Sequence, residues 1–248
     1  VRVPVTATDE TGALTSSFNR MVAGLAEREK LHEAFGTYVD PGLAERVLAE
    51  GTSLAGEEVE VSVLFVDIRE FTAFAEHADA TEVVATLNEF YEHVVPVLVR
   101  HCGHANKFIG DGLLGVFGAP DHLPDHADCA VTAALEIAAL VKEQYADKLR
   151  IGIGVNSGPV VAGTVGGGGH LEFTVIGDVV NTASRVEAVT RQTGDDVLIT
   201  EATRELLTRE FQAFERRPTV ALKGKTESVR LYAPAVAADE LRARLRAV

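Results

Sequence analysis

Apolar positions along this chain recur with two different periods, and the switch between them divides it. Between residues 9 and 35, Leu14, Phe18, Met21 and Leu25 step by four, three and four between charged neighbours. That narrow seam is the spacing of a helix that pairs with another helix. Asp9 or Thr11 can cap its start, and Gly36, Pro41 and Gly42 end it. The seam slips at Arg28 and His32, where Leu31 and Phe35 resume it out of phase. A short helix is predicted over 43–49, followed by a polar connection to Glu58.

The pattern then changes. Residues 59–66 are β-branched and apolar, which predicts a buried strand. Residues 81–102 predict a long helix with Leu87, Phe90, Tyr91, Val94, Val95 and Leu98 on one face. Two short strands, 105–109 and 113–117, flank Gly110-Asp111-Gly112, a tight-hairpin signal. A second long helix is predicted over 125–146. Strands follow at 151–156 and 160–165, broken by Ser157-Gly158-Pro159. Residues 166–169 are four glycines, read as a loop. Beyond them a strand (173–176), a helix (179–190), a strand (197–200), a helix (203–208) and two strands near 211–222 and 229–232 complete the body. The tail from 237 reads as a short helix whose Arg242, Arg244 and Arg246 make a solvated face. The order β-α-β-β-α-β with additions predicts a ferredoxin-like sandwich of the α/β (α+β) class.

Composition narrows the function. The 248 residues are 46% hydrophobic and 24% charged, which suits one large folded domain with an appendage. A formal charge of -14 repels phosphate backbones, so nucleic acid is not an expected partner. A polyanionic small ligand would need local cations or a metal. Two cysteines, Cys102 and Cys129, exclude a disulfide framework and a cysteine-rich zinc site, and fit a reducing compartment. The apolar run at 94–99 is far shorter than the roughly 18 residues of a spanning helix. The chain begins with Val1 rather than Met, which reads as a processed form or an excised piece of a longer parent.

Several residues could carry chemistry. Asp67 follows a buried strand, where an acid is costly unless paired or metal-bound. Asp111 sits in the hairpin turn, and a hairpin beside the first strand would bring the two together. Two carboxylates in contact repel, and a divalent cation held by oxygen ligands, Mg²⁺ or Mn²⁺, removes that cost. Ordinary turn chemistry for Asp111 and helix capping for Asp67 remain alternatives at this point. A helix starting within 68–72 could offer backbone N–H groups to phosphate, although no P-loop pattern is present. Asn181 and Arg185 share a helix face. Arg can neutralise a phosphoryl group and Asn can orient a hydroxyl, though both also suit a plain surface. Lys223 and Lys225 bracket Gly224 at a strand end and could grip a triphosphate, or be ordinary exposed lysines.

Taken together, these residues resemble class III nucleotide cyclases. The stretches VLFVDIREFT (63–72) and NKFIGDGLLGVFGAP (106–120) are similar to the two metal motifs. GIGVNSGPVVAGTVG (152–166) resembles the central strand pair, FTVIGDVVNTASRV (173–186) the segment that closes over the nucleotide, and LKGK (222–225) the terminal phosphate-contacting strand. DETGALTSSFNRMVAGL (9–25) resembles the second half of a HAMP linker. The resemblance implies a partial HAMP or signalling helix at 1–30, a helical linker at 31–57, a catalytic domain at 58–234 and a tail at 235–248. It also implies a parent anchored in the membrane upstream of Val1, with this chain on the cytoplasmic face.

The implied activity is conversion of a nucleoside triphosphate to its 3′,5′-cyclic monophosphate and pyrophosphate, in a homodimer whose sites are shared. Asp67, Asp111 and the carbonyl of Ile68 would hold two Mg²⁺ or Mn²⁺ ions, with Phe71 and Thr72 in the phosphate-binding turn. The partner protomer would supply Asn181 to the ribose, Arg185 to the transition state and Lys223 to the terminal phosphates. Lys107 and Thr174 would meet the base. Lys has donors only and cannot accept from guanine N1–H, which favours ATP. A guanylate cyclase and a catalytically weak nucleotide-binding or dimerisation domain are the alternatives. Glu70 stands where many relatives have Gly, and is expected to point to solvent.

Overall fold

The structure, a computed structural model, describes residues 3–4, 13–23, 56–146, 148–167, 170–209, 211, 213–219 and 228–235. The chain divides into two compact units, Val1–Gly51 and Thr52–Val248. In the first, residues 13–23 are helical, and Leu14, Phe18 and Met21 are exposed along it. The short helix predicted at 43–49, the tail helix from 237 and Lys223 lie outside the described residues.

The second unit is built on a sheet of eight strands. They are β1 (Glu57–Ile68), β2 (His104–Ile109), β3 (Gly112–Phe117), β4 (Ile151–Gly167), β5 (His170–Ile176), β6 (Val197–Thr200), β7 (Ala213–Arg216) and β8 (Leu231–Ala235). The helices are α1 (Phe71–Ala75), α2 (Ala80–Arg100), α3 (His126–Tyr145), α4 (Asp178–Thr193) and α5 (Glu201–Glu205). The sheet order is β2-β3-β1-β4-β6-β8-β7, with β5 paired to β4. Its first half, β2-β3-β1-β4 with α2 and α3 as connections, is the βαββαβ arrangement the sequence predicts.

Strand alternation sorts the helices onto two faces. Val197 and Ile199 of β6 join Leu64, Val66 and Ile68 of β1 in the large core that α2 and α3 cover. Leu198, between them, joins Val186 and Val189 of α4 in a second cluster. The sheet is therefore clothed on both sides, which explains why β3 and most of β4 are buried throughout rather than alternating. Asp67 has the opposite parity to Val66 and Ile68, so it projects toward the α4 face. Two glycines of β4 let α4 lie close. A Cβ on Gly154 would stand 2.2 Å from the Glu187 backbone nitrogen and 2.5 Å from the Ala183 carbonyl oxygen.

Three local expectations fail. The strands predicted at 151–156 and 160–165 are one 17-residue strand, because β1 pairs without interruption through Ser157, Gly158 and Pro159. On its other edge β4 is bonded to β6 only through Val155 and to β5 only from Val161, so the proline falls in the gap between those partners. The helix predicted at 203–208 starts at Glu201 instead, since the Thr200 side chain caps it by accepting from the Thr203 N–H. Gly166 and Gly167, read as loop, close β4 by pairing with Leu171 and His170.

Candidate active site

Asp67 ends the apolar run of β1, and the hairpin turn of β2 and β3 brings Asp111 against it. The turn has two central residues, Gly110 and Asp111, between the paired Ile109 and Gly112. Gly110 has φ 62°, the positive value such a tight turn requires at its first position. The Tyr91 hydroxyl, from α2, donates to the carbonyls of Gly110 (3.1 Å) and Gly112 (3.3 Å) and so pins the turn. Burial and the charges of Asp111 and Asp67 push the Tyr91 phenol up to about 12, so it stays a donor. Glycine flanks Asp67 on both sides: Gly152 is its partner on β4, and a Cβ on Gly112 would lie 3.4 Å from Asp67 Oδ1.

The two acids act on each other. Burial raises the Asp67 pKa, and the Asp111 charge and a hydrogen bond with Asp111 raise it further, while Arg191 opposes them. This is the electrostatic condition a divalent cation relieves. The donors are all oxygen, which fits a hard ion. Among the described residues no group of three or more His, Cys, Asp or Glu side chains is set to hold a metal, so the Ile68 carbonyl, phosphate or water would complete the shell. Asp67, Ile68 and Asp111 thus fit the divalent ions the sequence implies.

Three further residues surround the pair, and the sequence reading did not single them out for a role. Arg191, in the last turn of α4, donates to Asp67 Oδ2. Glu187, one turn earlier, is 6% exposed and lies over Gly152, where a Cβ would stand 2.7 Å from its Oε1. Burial, then the Asp67 charge, lifts its pKa to about 7. Arg69 ties β1 to the α4–β6 connection by donating to the Asp195 carbonyl at 2.5 Å. The helix period could have placed Glu187 and Arg191 together, but not opposite Asp67, because that meeting depends on sheet order.

Lys107 lies against β5, the strand that carries Thr174. Lys107 Nζ donates to Glu172 Oε2 at 3.0 Å, and Asn106 Nδ2 donates to the Phe173 carbonyl at 3.1 Å. These contacts hold β5 beside β2, and Thr174, buried, is two residues beyond Glu172 on β5. Asn181 is exposed and Arg185 half-buried in the first half of α4. The largest charges acting on Asp67 are those of Asp111 and Arg191. Arg185 is six residues from Arg191, about 9 Å along the helix axis and on another face. Within one chain, then, Arg185 is not part of the carboxylate cluster.

Phe71 starts α1 with its ring in the core, so what it offers a phosphate is its backbone N–H, while Thr72 is exposed. Glu70 is 80% exposed at its side chain, as the sequence reading expects. Its φ of 61° is left-handed, which is the physical reason glycine suits this position.

The chain matches the family model "Adenylate and Guanylate cyclase catalytic domain" over residues 55–233. It is 38% identical over 226 residues to Rv1320c, an uncharacterized protein of Mycobacterium tuberculosis, a match covering 91% of this chain and 40% of the relative. The chain thus spans about two fifths of the length of the curated relatives it matches. Among solved structures it is similar to the adenylyl cyclase CyaB from P. aeruginosa (TM-score 0.66, 26% identity, 74% of this chain and 97% of that one). It is equally similar to the guanylate cyclase domain of RhGC from Catenaria anguillulae in complex with GTP (TM-score 0.65, 31% identity, 73% and 98%). The chain belongs to the adenylate and guanylate cyclase catalytic domain family, and residues 55–233 form a nucleotide cyclase domain.

Proposed function

We propose that this chain is an adenylate cyclase, converting ATP to 3′,5′-cyclic AMP and pyrophosphate at sites shared between two protomers. The observation that carries the reading is the Asp67–Asp111 pair, in contact within one chain, with Arg185 and Asn181 about 9 and 15 Å back along α4 from the arginine that meets Asp67. A second copy supplies the missing half. Val161, Val165, Leu171 and Ile176 leave exposed apolar side chains along the β4–β5 arm, and Phe108 and Ile109 do so at the hairpin, which supports a face that another protomer covers.

Asp67, Asp111 and the Ile68 carbonyl would hold Mg²⁺ or Mn²⁺, two per site. Bound there, such ions would supply a lowered pKa for the ribose 3′-hydroxyl and positive charge at the α-phosphate. Asn181 of the other protomer orients the ribose, and its Arg185 neutralises the charge that develops as the 3′-oxygen displaces pyrophosphate. Lys223 binds the terminal phosphates, with the turn at Phe71 and Thr72 beneath them. Lys107 donates to adenine N1. Glu172 holds its ammonium near the base, and Thr174, which can donate or accept, serves the exocyclic group. A carboxylate next to Lys107 is also the acceptor guanine would need, so the guanylate cyclase reading is tested in the same assay.

The exposed seam of Leu14, Phe18 and Met21 supports a role for residues 9–35 as a signalling helix of HAMP type, paired with its copy below a membrane anchor in the parent. Among the described residues no helix is long and apolar enough to cross a membrane.

The test is formation of cyclic nucleotide by purified protein with Mn²⁺ and either ATP or GTP, beside Asp67→Ala. Cyclic AMP from ATP, abolished by the substitution, is the expected result. Preferential turnover of GTP overturns the base assignment, and no product above the Asp67→Ala background overturns the enzyme reading.

A further inference from the structure

Arg191 has no place in the chemistry above, yet it is the cation hydrogen-bonded to the carboxylate that chemistry depends on. Its guanidinium meets Asp67 Oδ2 and lies 4.0 Å from Glu187 Oε1. The other arginine nearby, Arg69, spends its guanidinium on the backbone carbonyls of Asp195 and Thr190. We propose that Arg191 is the resident counter-ion of the metal-binding carboxylates, displaced when a divalent cation enters, and that it thereby sets the cation affinity of the site. The inference rests on the reading of Asp67 and Asp111 as metal ligands.

Three features support displacement rather than a fixed brace. First, a guanidinium and a divalent cation held side by side on one carboxylate repel each other. Second, the Arg191 side chain is 48% exposed against 24% for Asp67, so the arginine has room to swing into water while the acid does not. Third, Arg191 lies in the last helical turn of α4, where Gly194 closes the helix by donating to the Thr190 carbonyl. The negative end of the helix dipole stabilises a cation there even after it has left Asp67. In exchange, the metal-free protein is spared two facing, half-buried carboxylates with no positive charge between them.

The test titrates Mn²⁺ alone into the metal-free chain, without nucleotide, and reads free Mn²⁺ by electron paramagnetic resonance. Asp67→Asn identifies the binding that belongs to this site. Arg191→Met keeps the aliphatic stem, and Arg191→Gln is the second variant should the first fail to fold. The expected result is Asp67-dependent Mn²⁺ binding that is about three- to tenfold tighter in either variant than in the unsubstituted chain, the scale of one partly exposed ion pair. Affinity that is unchanged or weaker overturns the inference and leaves the cyclase reading intact. Absence of Asp67-dependent Mn²⁺ binding in all of these proteins overturns the inference together with the metal-site assignment beneath it.

Discussion

Replacing Glu187 by glutamine tests the electrostatics of the site without reference to catalysis. The carboxyl is buried over Gly152 and faces the Asp67 charge, and it holds its proton to about pH 7 rather than 4.5. Folding therefore binds a proton, because the unfolded chain gives it up first. The stabilisation is fully present below about pH 4.5 and is lost as pH rises through 7. Converted at about 1.4 kcal/mol per pH unit, the gap is worth about 3 kcal/mol, most of which falls between pH 5 and pH 8. Glutamine has nearly the same shape and does not titrate. Urea denaturation in metal-free buffer should show the variant gaining about 2 to 3 kcal/mol on the unsubstituted protein between pH 5 and pH 8, with groups that do not face Glu187 cancelling in the difference. A difference constant to within about 0.5 kcal/mol would refute the argument, since it would mean that Glu187 is hydrated and not pressed against the sheet.

Gly154→Ala forces a Cβ into the backbone of α4 at Glu187 and Ala183, and should cost about 3 kcal/mol or more in thermal or urea unfolding. Glu70→Gly relieves a left-handed glutamate and should stabilise the fold by about 1 kcal/mol while leaving turnover unchanged, both read on the same preparation. Lys107→Glu removes the donor proposed for adenine and places a second acid beside Glu172. The ratio of kcat/KM for ATP to that for GTP should fall about tenfold or more, and an unchanged ratio would remove Lys107 from the base site.

The half of the fold around the site was legible in the sequence because its signals are local. The hydrophobic run of β1, the Gly110-Asp111-Gly112 turn and the long amphipathic helices each announce themselves in a window of a few residues. So does the pairing of Asp67 with Asp111, once the hairpin is placed beside β1. What escaped was set by partners distant in sequence. The strand break at Ser157-Gly158-Pro159 looked convincing because those are turn residues, and β1 overrides them by pairing straight through. Glu187 and Arg191 drew no reading from the sequence, because only the stacking of α4 over Gly152 and Gly154 turns them toward Asp67. Glu172 was hidden for the same reason, since nothing in its neighbours along the chain points to Lys107.

The central claim is that one protomer's Asp67 and Asp111 act on the same nucleotide as the other protomer's Asn181 and Arg185. Mixing Asp67→Ala with Arg185→Ala under conditions that allow subunit exchange tests it most directly, with cyclic AMP formation as the readout. Each variant alone should be inactive, and the mixture should regain activity, because one of the two hybrid sites then carries every group. Persistent inactivity of a mixture shown to exchange would contradict the shared site, as would activity of either variant alone.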